Sequence, residues 1–135
     1  MALSGVRTGL ETRLNTITGL RVYKYWPGSI NPPAVIIALS DGSDPHTTFA
    51  SNGMHPFGLT VAVPFVDEDR AQTALDAYMD HSGASSIVAA LQGDETLGGN
   101  AEYLLIGVWN VLGVAQYEGV DYLMATLPVG VHVRW

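Results

Sequence analysis

Three successive acidic residues, Asp67, Glu68 and Asp69, are the first candidates for chemistry, because carboxylate oxygens are the ligands that Ca²⁺ and Mg²⁺ prefer. Consecutive side chains at a helix start do not converge on one point, however. Apolar residues follow at helical spacing over 71–79, which places the acids at the positive end of a helix dipole. The triplet therefore predicts the start of a helix and not a metal site.

The remaining candidate ligands lack the spacing of a known site. The segment 41–44, DGSD, resembles a fragment of a calcium loop, but the later ligands and the bidentate glutamate are missing, so we interpret it as a turn. Neither HxH nor HExxH spacing occurs among the four histidines. They are His46, His55, His81 and His132. His46 and His55 could meet across a hairpin, but we expect surface polar residues.

Catalytic motifs are incomplete as well. The segment 82–86, SGASS, lacks the preceding strand and the glycine frame of a nucleophile elbow. The chain has no GxxxxGK[ST] motif, and Gly93 with Gly98 and Gly99 does not form a dinucleotide fingerprint after a strand. The sequence therefore contains no catalytic constellation.

Three helices are predicted from apolar spacing and capping residues. The first is expected to begin at Ser4 and to end at Gly19, with one stripe of apolar residues facing inward. The second follows the acidic triplet. Ser85 or Ser86 is expected to cap a third, shorter helix, which Gly93 ends.

Strand patterns precede and follow the second and third helices. An edge strand is predicted at 20–26, and a strand covered on both faces at 34–39, where apolar residues run without alternation. Further strands are predicted at 59–65, 103–114 and 120–135, and the last two should pair antiparallel across a short turn. We therefore predict an α+β fold, with a mostly antiparallel sheet of four to five strands and two to three helices packed on one face.

The polar segment 41–58 does not fit a core element, although it contains Phe49, Met54 and Phe57. It is either an irregular loop or the tip of a long β-hairpin whose apolar residues meet a partner. A connection of this length in a compact domain is more often functional or disordered than idle, and we favour a projecting hairpin or loop.

Composition limits the classes of function. The 135 residues are expected to form one domain, 1–135, and the absence of cysteine excludes disulfides and thiolate chemistry. A formal charge of −7 disfavours general binding to nucleic acid. Charged residues make up 14% and hydrophobic residues 47% of the chain, whereas about a quarter charged is usual, which favours self-association. No apolar run reaches the roughly 18 residues of a membrane span, and residues 1–20 do not form a signal peptide pattern, so the protein is expected to be cytosolic where it is made.

The chain resembles a known family along nearly its whole length. The resemblance depends on GLRVY at 19–23, NPPA at 31–34, the block LDAYMDHSGASSIVAAL at 75–91, and TLGG at 96–99 before the strand that starts at Tyr103. These residues are similar to those of the tail terminator proteins, also called minor tail or neck proteins, of long-tailed bacteriophages that infect actinobacteria. They form the fold and contain no catalytic motif.

This resemblance implies a structural virion protein without enzymatic activity or cofactor, assembled in the host cytoplasm. Such subunits form a ring, commonly a hexamer, that caps the tail tube, ends its polymerisation and provides the surface for joining the head. The implied partners are copies of itself, the tail tube protein and a head-completion or neck protein, with DNA passing through the pore without specific binding and no membrane involved. The alternatives are a head-closure or adaptor subunit of the neck and, from another class, a small ligand-binding module or enzyme.

Candidate interface residues follow from this expectation. We expect the 41–58 region to contact a neighbouring subunit or the tail tube through His46, Phe49, Met54 and His55. A strand edge at Trp109 or Trp135 is a candidate for extending a sheet between subunits. For Trp109, an ordinary role in the core is the stronger interpretation.

Overall fold

A computed structural model describes residues 3–25, 28, 30–39, 52–65, 68–94, 96–99, 101–117 and 119–134. Within these residues, three α-helices and a single 3₁₀ turn combine with six strands. The elements are α1 (Leu3–Leu14), β1 (Arg21–Tyr23), β2 (Ala34–Leu39), β3 (Asn52–Pro64), α2 (Glu68–Met79), α3 (Ile87–Gln92), the 3₁₀ turn Leu97–Gly99, β4 (Tyr103–Ile106), β5 (Asn110–Tyr117) and β6 (Val120–Arg134). The α+β class is confirmed, and the sheet has six described strands instead of four or five.

The sheet is organised around the long strand β6. Its order is β1-β2-β3-β6, and β4 and β5 both pair with the remaining edge of β6. Only the β1–β2 pair is parallel among these pairings, and β6 opposes β3 over its residues 122–134. The predicted antiparallel pairing of the strand region at 103–114 with the last strand is confirmed, since β4 and β5 both pair antiparallel with β6.

The additional strand arises because the predicted strand at 103–114 is interrupted at 107–109. Gly107 N–H donates to the carbonyl of Pro128 at 2.8 Å, but proline has no N–H to return the next ladder bond. A Cβ atom at Gly107 would also lie 2.9 Å from the Pro128 oxygen. Pro128 therefore interrupts the strand that pairs with β6, which divides into β4 and β5. Strand β6 itself continues through Pro128.

The helices pack on one face of the sheet, as predicted, over the main hydrophobic core. Val6, Leu10, Leu14 and Ile17 are buried at the expected spacing. Helix α1 ends at Leu14, before Gly19, and Ser4 lies inside it. The inward residues of β3 and β6 alternate with outward ones and complete this core; they are Phe57, Leu59, Val61, Val63, Leu123, Ala125, Leu127, Val129 and Val131.

The opposite face of the sheet, called the outer face below, carries a smaller core. Its buried residues are Ile30, Ala34, Ile36, Ala62, Tyr122 and Met124. The Tyr122 hydroxyl donates to the Ile30 carbonyl at 3.1 Å, which holds the connection after β1 against this face. Strand β2 is therefore covered on both faces, as its unbroken apolar run predicted.

The polar region at 41–58, predicted to be a projecting hairpin or loop, includes part of a strand. Residues 52–58 belong to β3, where Phe57 is buried and pairs with Val129 of β6. The glycine and proline content of this segment suggested a loop, but the β6 backbone on one side supplies hydrogen bonds that composition does not reveal. Residues 40–51 lie outside the described residues.

Helix ends are set by local hydrogen bonds. The predicted cap at Ser86 is confirmed: its hydroxyl oxygen accepts from Ala89 N–H at 3.1 Å and its hydroxyl donates to the Asp80 carbonyl. Gly93 ends α3, as expected. Arg13 of α1 reaches across to donate from Nε to the Ala90 carbonyl at 2.9 Å, which joins the two helices at the negative end of α3.

Candidate assembly interface

The exposed apolar side chains are concentrated at one edge of the sheet. Of the nine large hydrophobic residues that are exposed among the described residues, seven lie between Tyr103 and Val120. We call these seven residues the apolar edge: Tyr103, Leu105, Val108, Val111, Leu112, Val114 and Val120. Monomeric proteins rarely expose large apolar patches, so the concentration of these side chains at one edge makes it the candidate interface.

The features that usually protect an edge strand are largely missing here. No charged residue occurs from position 103 to position 117. Strand β5 pairs only with β6, and no described strand lies on its other side. A bulge between Val111 and Gly113, where Gly113 has a φ of 79°, is the one irregularity of the pairing. Natural proteins usually protect such an edge with lysine, proline or a covering element, so β5 is suited to accept a further strand.

Both faces of the sheet contribute to the apolar edge. Leu104 is buried in the main core, so its neighbours Tyr103 and Leu105 point to the outer face. Val111 and Val114 pair with core residues of β6 and point to the helical face, yet they are 55% and 51% exposed. The helical layer thus leaves the helical face of β5 open.

A groove of about 470 Å³ lies beside this edge, next to α3. Its lining is mostly apolar and comprises His81, Val88, Gln92, Ile106, Gly107, Val108 and Trp109. Trp109 is partly buried against the main core, which agrees with the ordinary role favoured for it. Its Nε1 atom is buried without a hydrogen-bond acceptor among the described residues. The groove therefore has mostly apolar walls, and a buried donor lies in one of its lining residues.

The structure describes only part of the predicted interface residues. His46, Phe49 and Trp135 lie outside the described residues. Met54 and His55 belong to β3, where their backbones pair with His132 and Val131 of β6, and their side chains are not described. These five assignments remain predictions.

From the sequence, only the strand edge at Trp109 was named as a candidate interface in this region, and the apolar edge as a whole was not identified. A strand was predicted at 103–114, where the structure has β4 and β5, but an apolar strand gives no direct sign of whether a helix will cover it. The available signal was the uncharged run from 103 to 117, together with the absence of any predicted helix after it.

Among the residues that the structure describes, two titratable groups have shifted pKa values, and neither lies on the apolar edge. Burial raises the pKa of the Tyr78 hydroxyl. Hydrogen bonds from the Thr96 hydroxyl and from Gly98 N–H lower the pKa of Asp94, with a smaller contribution from the charge of Arg13.

No group of three or more potential metal ligands is found in the described part of the chain. Within it, none of the helices has the length and apolar character needed to cross a membrane.

Comparison with known proteins leaves the family open. No protein-family model matches this sequence, and no curated protein matches it either.

Proposed function

We propose that this chain is a structural assembly subunit whose copies associate through the apolar edge. The observation that carries the proposal is the uncharged strand β5, with half-exposed valines on a face that the helices leave open. Burial of apolar surface contributes roughly 25 cal/mol per Å² to association, so a contact at this edge is favourable.

The assembly that we propose is the ring that caps the tail tube of a long-tailed bacteriophage, stops its polymerisation and provides the surface for joining the head. The sequence segments 19–23, 31–34, 75–91 and 96–99 support this role through their resemblance to tail terminators. The sparse charge of the chain supports it as well, since a ring subunit has contacts on two sides. The net charge of −7 suits a pore in which DNA moves without binding.

Deletion of the gene from the phage genome that carries it tests the terminator role. Electron microscopy of the lysate should show tails of uncontrolled length and few joined particles, and expression of the wild-type chain in trans should restore tails of uniform length. Tails of normal length beside heads that have lost their DNA would instead identify a head-closure or adaptor subunit. Normal infectious particles would overturn both roles.

The role of the apolar edge is tested in the same complementation. The double variant Val111→Lys/Val114→Lys places two charges on β5 and should fail to restore tail length. Thr73→Lys/Ala77→Lys adds the same charge to exposed positions of α2 and should complement like the wild type. Thermal unfolding establishes that both variants fold. Full complementation by the β5 variant would remove this edge from the assembly.

A further inference from the structure

Charge is distributed very unevenly along this chain. Residues 1–33 contain four bases and one acid, for a net charge of +3, whereas residues 34–135 contain two bases and twelve acids, for a net charge of −10. Strong charge asymmetry of this kind indicates an electrostatic partner for each part. The net charge of −7 for the whole chain does not reveal the positive charge of residues 1–33.

The fold places Arg21 and Lys24 of the basic part at one edge of the sheet and the apolar edge at the other, whereas Arg13 lies against α3. Strand β1 is the first strand of the sheet order, and β4 and β5 are at its far end. Arg21 of β1 is exposed, and Lys24 and Tyr25 follow directly. We call β1 with these two residues the basic edge.

An aromatic side chain is also presented at the basic edge. Tyr25 is 59% exposed, and the guanidinium of Arg7 lies 4.6 Å from the centre of its ring. Arg7 is itself fixed by donation to the carbonyls of Lys24 and Ile37, the latter at 2.9 Å. Lys24 lies 4.0 Å from Glu11, so Arg7 and Arg21 carry the net positive charge of this edge. It offers a positioned aromatic surface of a type that is enriched at protein interfaces.

Acidic residues flank the apolar edge. Glu102 immediately precedes β4, and Asp121 of β6 is exposed opposite Gln116 of β5. If two copies met through the same edge, these acids would approach each other and repel. If the apolar edge met the basic edge of another copy with Asp121 against Arg21, these opposite charges would attract and the acids of the two copies would stay apart.

We infer that copies of this chain associate head to tail, with the apolar edge of one copy on the basic edge of the next. The inference rests on the proposed function, since it specifies how the proposed subunits meet. The three residues of β1 limit any shared strand pairing to a short ladder, so side chains of both edges supply the rest of the contact. A repeated contact between two different patches produces a closed ring or an open filament, whereas a contact of one patch with itself stops at a dimer.

Site-specific cross-linking tests this arrangement, and the cysteine-free chain makes single-cysteine variants unambiguous. The probe is a short bismaleimide, added to Arg21→Cys and Val114→Cys proteins separately and mixed, with an affinity tag on one of them. Thr73→Cys on the exposed surface of α2 is the matched control. Circular dichroism verifies that each variant is folded before the reagent is added.

The mixture of Arg21→Cys and Val114→Cys should give a heterodimer at a yield about tenfold above that of the mixture of Thr73→Cys and Val114→Cys, because the bound state raises the effective thiol concentration. Each variant alone should give little dimer. Yield should fall as NaCl is raised, since salt screens the attraction between the edges.

Two results would overturn the inference. The first is efficient cross-linking of Val114→Cys with itself, which would mean that two apolar edges meet. The second is a yield from the edge mixture equal to that of the control mixture. If either occurs while the gene deletion gives overlong tails, the head-to-tail contact is wrong and the terminator role stands. If the edges cross-link but the deletion leaves tails normal, the contact stands and the phage role fails.

Discussion

The ring of Tyr103 lies nearly parallel to the imidazole of His132, with centroids 4.5 Å apart and an interplanar angle of 9°. The two residues are also a register pair between β4 and β6, on the outer face of the sheet. Since β4 has no described neighbour other than β6, this stack fixes the beginning of the apolar edge to the central strand.

Replacing Tyr103 with alanine should lower the free energy of unfolding by about 1 kcal/mol, because the stacked aromatic pair is lost from a strand held on one side only. Urea denaturation of the purified chain measures this change. Tyr103→Phe retains the ring and should remain within about 0.5 kcal/mol of the wild type. Equal losses for the two variants would assign the effect to the hydroxyl and not to the stack.

The helices and the central strands could be predicted from sequence because each has a signal of its own. The spacing of Val6, Leu10 and Leu14 matches one face of a helix, and all three are buried. The unbroken apolar run of β2 predicted cover on both faces, and two separate cores provide it.

The boundaries and the interface depended on partners that are distant in sequence. Gly107 ends β4 because it faces Pro128, and residues 52–58 form a strand because β6 is beside them. The opposite edges of the sheet became apparent only from the strand order, which separates the bases near β1 from the acids near β5. Local patterns do not contain the strand order.

Ser86 connects α2 to α3, and its removal should affect both. The variant Ser86→Ala loses the cap on Ala89 N–H and leaves the Asp80 carbonyl without its donor, so the free energy of unfolding should fall by about 1 to 2 kcal/mol. Chemical denaturation measures the loss. Ser82→Ala, at a nearby exposed position, should change stability by less than about 0.5 kcal/mol. Similar effects of the two substitutions would contradict the capping role.

Asp94 should make stability depend on pH in the acidic range. Its side chain accepts from the Thr96 hydroxyl at 2.6 Å and from Gly98 N–H at 3.0 Å, and these bonds lower its pKa in the folded chain below the ordinary value of 3.8. The stabilisation is therefore fully present above pH 3.8 and is lost as the pH falls through the lower folded pKa.

Comparison with Asp94→Asn isolates this effect. The difference in unfolding free energy between the wild type and this variant should shrink as the pH is lowered from 3.8 through the lower folded pKa of Asp94. Asp76→Asn, at an exposed position of α2, provides the baseline for removing one surface carboxylate. A difference for Asp94→Asn that stays constant with pH would show that the carboxylate is not stabilised by these bonds.

Replacing Gly9 with alanine should destabilise the chain, although the same replacement inside a helix is usually stabilising. Alanine inside a helix is normally more stable than glycine by about 0.5 to 1 kcal/mol. A Cβ atom at Gly9, however, would lie 2.6 Å from Leu97 Cβ and 2.8 Å from the Leu97 carbonyl oxygen. Leu97 is buried and begins the 3₁₀ turn, so neither atom moves without displacing backbone. Gly9→Ala should therefore destabilise the chain by about 1 to 3 kcal/mol, as measured by thermal or urea unfolding.

The intrinsic helix preference can be measured separately in the same protein. Ala77 is exposed on α2, and Ala77→Gly should lower the free energy of unfolding by about 0.5 to 1 kcal/mol through backbone entropy alone. If both substitutions are destabilising, although one adds a methyl group to a helix and the other removes it, close packing between α1 and Leu97 is the cause at Gly9. A Gly9→Ala protein more stable than the wild type would mean that α1 can move away from the 3₁₀ turn, and that the buried position of Leu97 does not depend on glycine at this contact.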